Sequence, residues 1–278
     1  MPRLPRRQMR RCLSLALVLA FASLAGAAHE DRLAPGERPP LLLTVLYDNY
    51  PFRPGLRTAW GFSCLVELGE EVILFDTGGS AGILLSNMRA LGIEPDRIQK
   101  VALSHIHGDH VGGLLGFLEK NSAVTVYLPA SFPEGFKDRV RCCGARVVEV
   151  RGPMEIGEGV YSTGEMGTRI REQALVVESS EGLVVITGCA HPGIVEVVRR
   201  AVEIGEEKVH LVVGGFHMAG MPEARVRAVV QAFRELGVAR VAPCHCSGDL
   251  ARRLFREAWG GGFHPAGVGW SFGLPSAP

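Results

Sequence analysis

Within Ser104-His105-Ile106-His107-Gly108-Asp109-His110, three imidazoles and a carboxylate fall inside six residues. Such a set offers borderline nitrogen and oxygen donors that suit zinc, and also iron or manganese. At a turn from strand to loop, residues at i and i+2 can aim at one ion, while those at i+4 and i+5 reach a second. Gly108, Gly112 and Gly113 let the backbone close tightly around such a site. The chemistry this favours is metal-assisted hydrolysis. A bound divalent ion brings the pKa of its water toward neutrality and polarises a carbonyl or phosphoryl oxygen. Asp109 is the candidate catalytic residue, positioning that water or taking its proton as well as ligating.

The cluster has to be held by something, and the hydropathy pattern supplies it. Residues 41–47, 63–67, 72–75 and 101–104 are short apolar runs rich in strand formers, and the last leads straight into the histidines. Residues 80–91 read as a helix closed by Gly92, and 114–120 as a shorter one. Strand patterns recur at 124–128, 146–150, 159–162, 174–178 and 183–187. Three strand–helix units follow: 184–186 into 194–204, 209–213 into 223–236, and 238–242 into 249–259. Strands come in two groups with helices attached and no linker between them, which predicts a layered α/β domain over 41–278.

The first 28 residues read differently. Five arginines (Arg3, Arg6, Arg7, Arg10 and Arg11) precede an apolar stretch at 12–24 and a small-residue close at Ala25-Gly26-Ala27-Ala28. That is the pattern of a cleaved signal peptide, with 29–40 as a leader junction. It predicts a periplasmic or secreted protein exported by the general secretory route rather than the twin-arginine route. The apolar run is short for a permanent membrane span, so no membrane association is expected after its removal. The formal net charge is +1, and taking away those five arginines leaves about −4. A mildly acidic body without a basic stripe excludes a charge-driven nucleic-acid binder and leaves a small molecule as the expected partner. Six cysteines remain beyond Cys12, in a spacing unlike a disulfide framework.

With these residues in view, the chain resembles the metallo-β-lactamase superfamily. His105-Ile106-His107-Gly108-Asp109-His110 is similar to its histidine signature, and Phe75-Asp76-Thr77-Gly78 to its Asp-Thr-Gly turn. The segments Tyr47-Asp48-Asn49, Gly188-Cys189-Ala190-His191-Pro192-Gly193, Gly214-Gly215-Phe216-His217 and His245-Cys246-Ser247-Gly248 look like a branch of metal-dependent hydrolases and dihydropterin ribofuranosyl-aminobenzene phosphate synthase-like proteins. The resemblance implies a four-layer αββα sandwich with one or two divalent ions, zinc first, at the sheet edge. It implies His105 and His107 as ligands of one ion, Asp109 and His110 as ligands of the other, and His245 as the last histidine ligand. His191 is expected to complete the first set.

Cys189 stands where relatives carry a bridging aspartate. It is either a bridging thiolate or a small buried residue. His217 is a residue for substrate contact or support, or a ligand. Glu165 is an acceptor beside the ligands, a proton carrier, or a plain surface carboxylate. Asp76 holds its turn next to the metals, and Asn49 and Trp60 are expected at the substrate mouth. Cys244 and Cys246 read as packing residues, with a soft Cys/His site as the other reading. Three functions fit: an exported hydrolase of an ester, lactone, lactam or phosphoester; a pterin-related synthase or transferase; and a non-hydrolytic metal-binding or redox protein. The fold does not choose among them.

Overall fold

The computed structural model describes residues 38–277. The signal-peptide reading of residues 1–28 lies outside the described residues, as do 29–37 of the leader junction. Strand β1 (Leu41–Tyr47) opens the first sheet and pairs antiparallel with β2 (Ser63–Leu68), which pairs antiparallel with β3 (Glu71–Phe75). Helix α1 (Ala81–Leu91) carries the chain back, so β4 (Lys100–Ala102) lies parallel to β3. Gly92 ends α1 in the left-handed conformation, its N–H reaching Arg89 O while Ile93 N–H reaches Met88 O. Helices α2 (Gly108–Val111) and α3 (Leu114–Leu118) lead to β5 (Thr125–Pro129), and α4 (Glu134–Cys142) leads to β6 (Arg146–Val150). Both strands continue the parallel run.

The second sheet begins as an antiparallel meander of β7 (Met154–Gly157), β8 (Val160–Ser162), β9 (Leu175–Ser179) and β10 (Gly182–Thr187). Helix α5 (Ile194–Gly205), β11 (Val209–Gly215), α6 (Glu223–Glu235) and β12 (Arg240–Cys244) then extend it with parallel strands. Helix α7 (Asp249–Trp259) follows, and β13 (Ser271–Leu274) returns to pair with β1 in the first sheet. The strand orders are β13-β1-β2-β3-β4-β5-β6 and β12-β11-β10-β9-β8-β7.

Alternation along each strand builds the layers. Leu43, Val45, Ile73, Phe75, Val184, Ile186, Leu211 and Val213 face a core between the two sheets. Their neighbours point the other way. Leu46, Val72 and Leu74 meet the helices outside the first sheet, and Leu183, Val185 and Val212 meet α5–α7 outside the second. Strands buried on both faces read as unbroken apolar runs, which is the pattern at 183–186 and 211–213. The outcome is two mixed sheets between helical layers, the four-layer αββα sandwich expected from the sequence. Gln173 ties the sheets together, its backbone N–H reaching Ser104 O and its side-chain amide reaching Leu103 O.

Several bounds differ from the sequence reading for identifiable reasons. The strand expected at 238–242 sits at Arg240–Cys244, because Val238 N–H closes α6 by donating to Phe233 O. Helix α4 shows no clear period in the sequence because only Phe136 and Val140 are buried apolar residues along it. β7 (MEIG) and β13 (SFGL) are too short and glycine-containing to stand out. Among the described residues, no helix is long and apolar enough to cross a membrane.

Candidate metal centre

The parallel strands deliver their carboxyl ends to one edge of the sandwich, where ligands gather in open α/β sheets. Asp76 follows β3, the histidine cluster follows β4, Cys189 and His191 follow β10, His217 follows β11, and His245 follows β12. Four of these turns contain non-glycine residues in the left-handed region: Asp76 (φ 55°), Ala190 (φ 61°), His217 (φ 51°) and His245 (φ 47°). Such strain persists only where surrounding structure enforces it. Gly188 is required by packing, since a Cβ there would meet Asp76 Oδ2 at 2.9 Å and press on Ser104.

Two half-sites result. In the first, His105, His107 and His191 bring their donor atoms together. His105 Nε2 and His107 Nδ1 lie 3.0 Å apart. In the second, His110 Nε2 lies 3.2 Å from His245 Nε2, and Asp109 Oδ2 lies 3.6 Å and 3.4 Å from those two nitrogens. A tetrahedral ion with bonds of about 2.0–2.1 Å to nitrogen spaces its ligand atoms about 3.3–3.4 Å apart. The observed separations bracket that edge length.

His107 presents Nδ1, whereas the far sides of the other four imidazoles explain why their Nε2 atoms face inward. His110 Nδ1 pairs with Asp76 Oδ2 at 2.7 Å, His191 Nδ1 with Glu172 Oε2 at 2.8 Å, and His245 Nδ1 with Asn49 Oδ1 at 3.0 Å. Ser104 Oγ donates to Asp76 Oδ2, so it accepts from His105 Nδ1 at 2.9 Å. With Nδ1 carrying the proton, Nε2 presents a bare lone pair to the centre, the arrangement a metal-ligating histidine needs. Burial takes the His105 and His110 pKa values down to about 3, so both rings are neutral donors. Burial works to raise Asp109, but its hydrogen bond with His245 and the adjacent His110 hold it well below the usual carboxylate range. Asp109 is therefore a persistent anion, a better ligand than proton acceptor. Imidazole nitrogens with one anion are the donor set a divalent ion requires, so these residues fit the metal that the sequence suggests.

The remaining candidates separate. Cys189 Sγ sits 3.2 Å from His110 Nε2, buried beside the second half-site. Asp76 is fully buried, holds Ser104 and His110, and burial pushes its carboxyl up to about 7. Asn49 holds His245 from behind, and the exposed Trp60 ring stands 4.8 Å from His245. The His217 ring is exposed and 4.4 Å from His191. Cys244 packs between the sheets, and Cys246 lies near Cys189 and His217. Glu165 is not among the grouped donors. Its carboxylate accepts from Ser131 N.

The carboxylate beside the histidines is instead Glu172, which sequence reasoning missed. Glu172 is 2% exposed and accepts four hydrogen bonds: from Cys189 N, Ala190 N, His191 N and His191 Nδ1, at 2.7–2.8 Å. Burial acts to raise its pKa, yet His191 and His105 bring it down to about 2. Asp48 was also missed. It is buried and accepts from His245 N and Tyr50 N. Neither residue lies in a histidine-containing motif, and a single buried acid has no periodicity to reveal it.

An αββα sandwich with two adjoining half-sites of imidazole and carboxylate at one sheet edge defines a class of metal-dependent enzymes. The model of the metallo-beta-lactamase superfamily matches residues 61–203, just over half of the chain, and the chain belongs to that superfamily. It is 28% identical over 265 residues to the 7,8-dihydropterin-6-methyl-4-(beta-D-ribofuranosyl)-aminobenzene-5'-phosphate synthase of Methanocaldococcus jannaschii, covering 78% of this chain and 90% of that one. A crystal structure of a metal-dependent hydrolase of the beta-lactamase superfamily is similar at 31% identity with a TM-score of 0.72, over 84% of this chain and 98% of the other. A metallo-beta-lactamase fold protein from Bacillus subtilis shares the fold, at 16% identity and a TM-score of 0.65, over 85% of this chain and 100% of its own. The chain is a metal-dependent, hydrolase-like enzyme of this superfamily.

Proposed function

We propose that the chain is a pterin-related synthase or transferase, acting where a pterin precursor is joined to a phosphorylated aminobenzene riboside. The observation that carries this reading is the likeness along 90% of the length of the Methanocaldococcus jannaschii synthase. Divalent ions bound in the two half-sites would supply positive charge against a phosphoryl or carbonyl oxygen and lower the pKa of a water. Asp109 stays ionised beside His245, and His105 and His110 stay neutral, so the centre is ready to hold ions at neutral pH. A cleft of about 340 Å³ runs past His191 and His217. Phe216, Met218, Met221 and Val229 line it with apolar surface suited to a flat ring, and Arg225 offers a charge to a phosphate.

The test is incubation of the metal-loaded chain with a pterin precursor and an aminobenzene ribose phosphate, with products read by mass spectrometry. A joined pterin product from the wild type, and none from His107→Ala, is expected. The second reading is a hydrolase of an ester, lactone, lactam or phosphoester, favoured by the 31% identical hydrolase structure. Turnover of such esters without any pterin product would replace the first reading with the second. Export by residues 1–28 belongs to the second reading, and N-terminal sequencing of the secreted form would then begin at His29.

A further inference from the structure

Three adjacent parallel strands each place a potential ligand two residues beyond their ends. β10 ends at Thr187 and gives Cys189, β11 ends at Gly215 and gives His217, and β12 ends at Cys244 and gives Cys246. The strands are paired in register, Thr187 against Gly214 and Gly215 against Cys244, so the three turns rise side by side. Their donor atoms converge, with the two sulfurs and the imidazole nitrogen all within 4.8 Å of one another. We propose that Cys189, His217 and Cys246 form a third metal site, for a thiophilic divalent ion such as zinc, beside the two half-sites.

Several features prepare this place for an ion. The two thiols are buried, at 4% and 5% exposure, whereas His217 is exposed, so an ion has a path in past the imidazole. The nearest carbonyl contact of Cys246 Sγ is Cys189 O at 3.7 Å, a weak hydrogen bond that a metal–sulfur bond readily replaces. Gly215 leaves the room for the sulfur, since a Cβ there would stand 2.7 Å from Cys246 Sγ. His217 is held with φ at 51°, and the N–H groups of Met218 and Ala219 both donate to Cys246 O, fixing the imidazole loop to the thiol loop. Two thiolates and one imidazole match zinc's ligand preferences and leave a fourth position open. The second half-site is built from nitrogen and oxygen alone, but Cys189 Sγ lies 3.2 Å from His110 Nε2, so that sulfur would be shared between neighbouring ions. Binding releases the thiol protons to solvent and changes no oxidation state.

The full chain is loaded with Zn²⁺ under reducing conditions, dialysed against metal-free buffer, and its zinc counted per chain by elemental analysis. The wild type retains three equivalents, and His217→Ala and Cys246→Ser each retain one fewer. Because His217 is exposed, the chelator-treated His217→Ala chain keeps the melting transition of the chelator-treated wild type, which separates loss of a ligand from loss of the fold. With Co²⁺ as the probe, the wild type and His107→Ala both show near-ultraviolet thiolate-to-cobalt absorption, and Cys246→Ser shows less of it. Two equivalents in the wild type, an unchanged count in both variants, or a Cys189–Cys246 disulfide in the metal-loaded chain overturns the proposal.

Discussion

Glu172 is a buried anion with all of its hydrogen bonds directed to the turn that carries Cys189, Ala190 and His191. It fixes both the backbone and the ring orientation of His191, which makes it a positioning residue for the first half-site. Its counterpart for the second is Asp76, on His110 Nδ1. Groups that orient a ligating histidine typically contribute about 10–100-fold in metal affinity. Glu172→Gln keeps the volume and removes the charge, so competition with a chelator should show metal at the His191 half-site weakened by about that factor. Asp109→Asn should weaken the second half-site and leave the first loaded. His107→Ala does the reverse, abolishing turnover with loss of the ion of the first half-site, and retention of full activity would exclude a role for that half-site.

At the scale of elements, the site depends on packing remote from its ligands. Phe233 of α6 is fully buried among Phe216, Phe255 and Trp259, with ring centroids 5.4–6.2 Å away. Phe233→Ala should destabilise the chain by about 3–5 kcal/mol in chemical denaturation while leaving metal content unchanged. The same elements show what the sequence discloses. Strands buried on both faces and amphipathic α5–α7 are legible because their burial writes a period into the residues, and the histidine cluster because its donors are contiguous. His191 and His245 were placed from flanking motifs that their strand ends preserve. Glu172 was not legible, because a buried acid is defined by the N–H groups that surround it and these come from the turn at Cys189, Ala190 and His191. Asp48 stands in the Tyr47-Asp48-Asn49 segment, but the bond from His245 N that gives it a role is made only in the fold. Glu165 was chosen for its place after Thr163-Gly164, but its carboxylate is taken up by Ser131 N.

For the whole molecule, two sheets converge their parallel strand ends on one edge, and the His105 and His110 imidazoles there resist protonation. His105 titrates at about 3 when folded, because of burial, and at 6.5 when exposed. Above pH 6.5 neither state binds its proton and the folded state keeps its full stability from this group. As pH falls from 6.5 toward 3, the unfolded chain takes a proton that the folded chain refuses, so stability is lost. Asp76, pushed up to about 7 by burial, opposes the corresponding loss at His110, because as pH falls the folded chain takes up a proton there that the unfolded carboxyl, at 3.8, does not. Asp48, pushed up to about 6, likewise opposes the loss at His105. A chelator-treated chain should therefore hold a nearly level melting temperature from pH 6.5 to about 5 and lose it below about pH 4.5, where the unfolded chain also protonates the carboxyl of Glu172. A melting temperature that stays level there too would contradict the burial of His105. The most direct test of the central claim is anomalous diffraction at the zinc edge from crystals of the metal-loaded chain. The account predicts one peak about 2.0–2.1 Å from the nitrogens of His105, His107 and His191, and a second at that distance from His110 and His245, bonded also to Asp109. Crystals with zinc bound only elsewhere, or with neither peak, would contradict it.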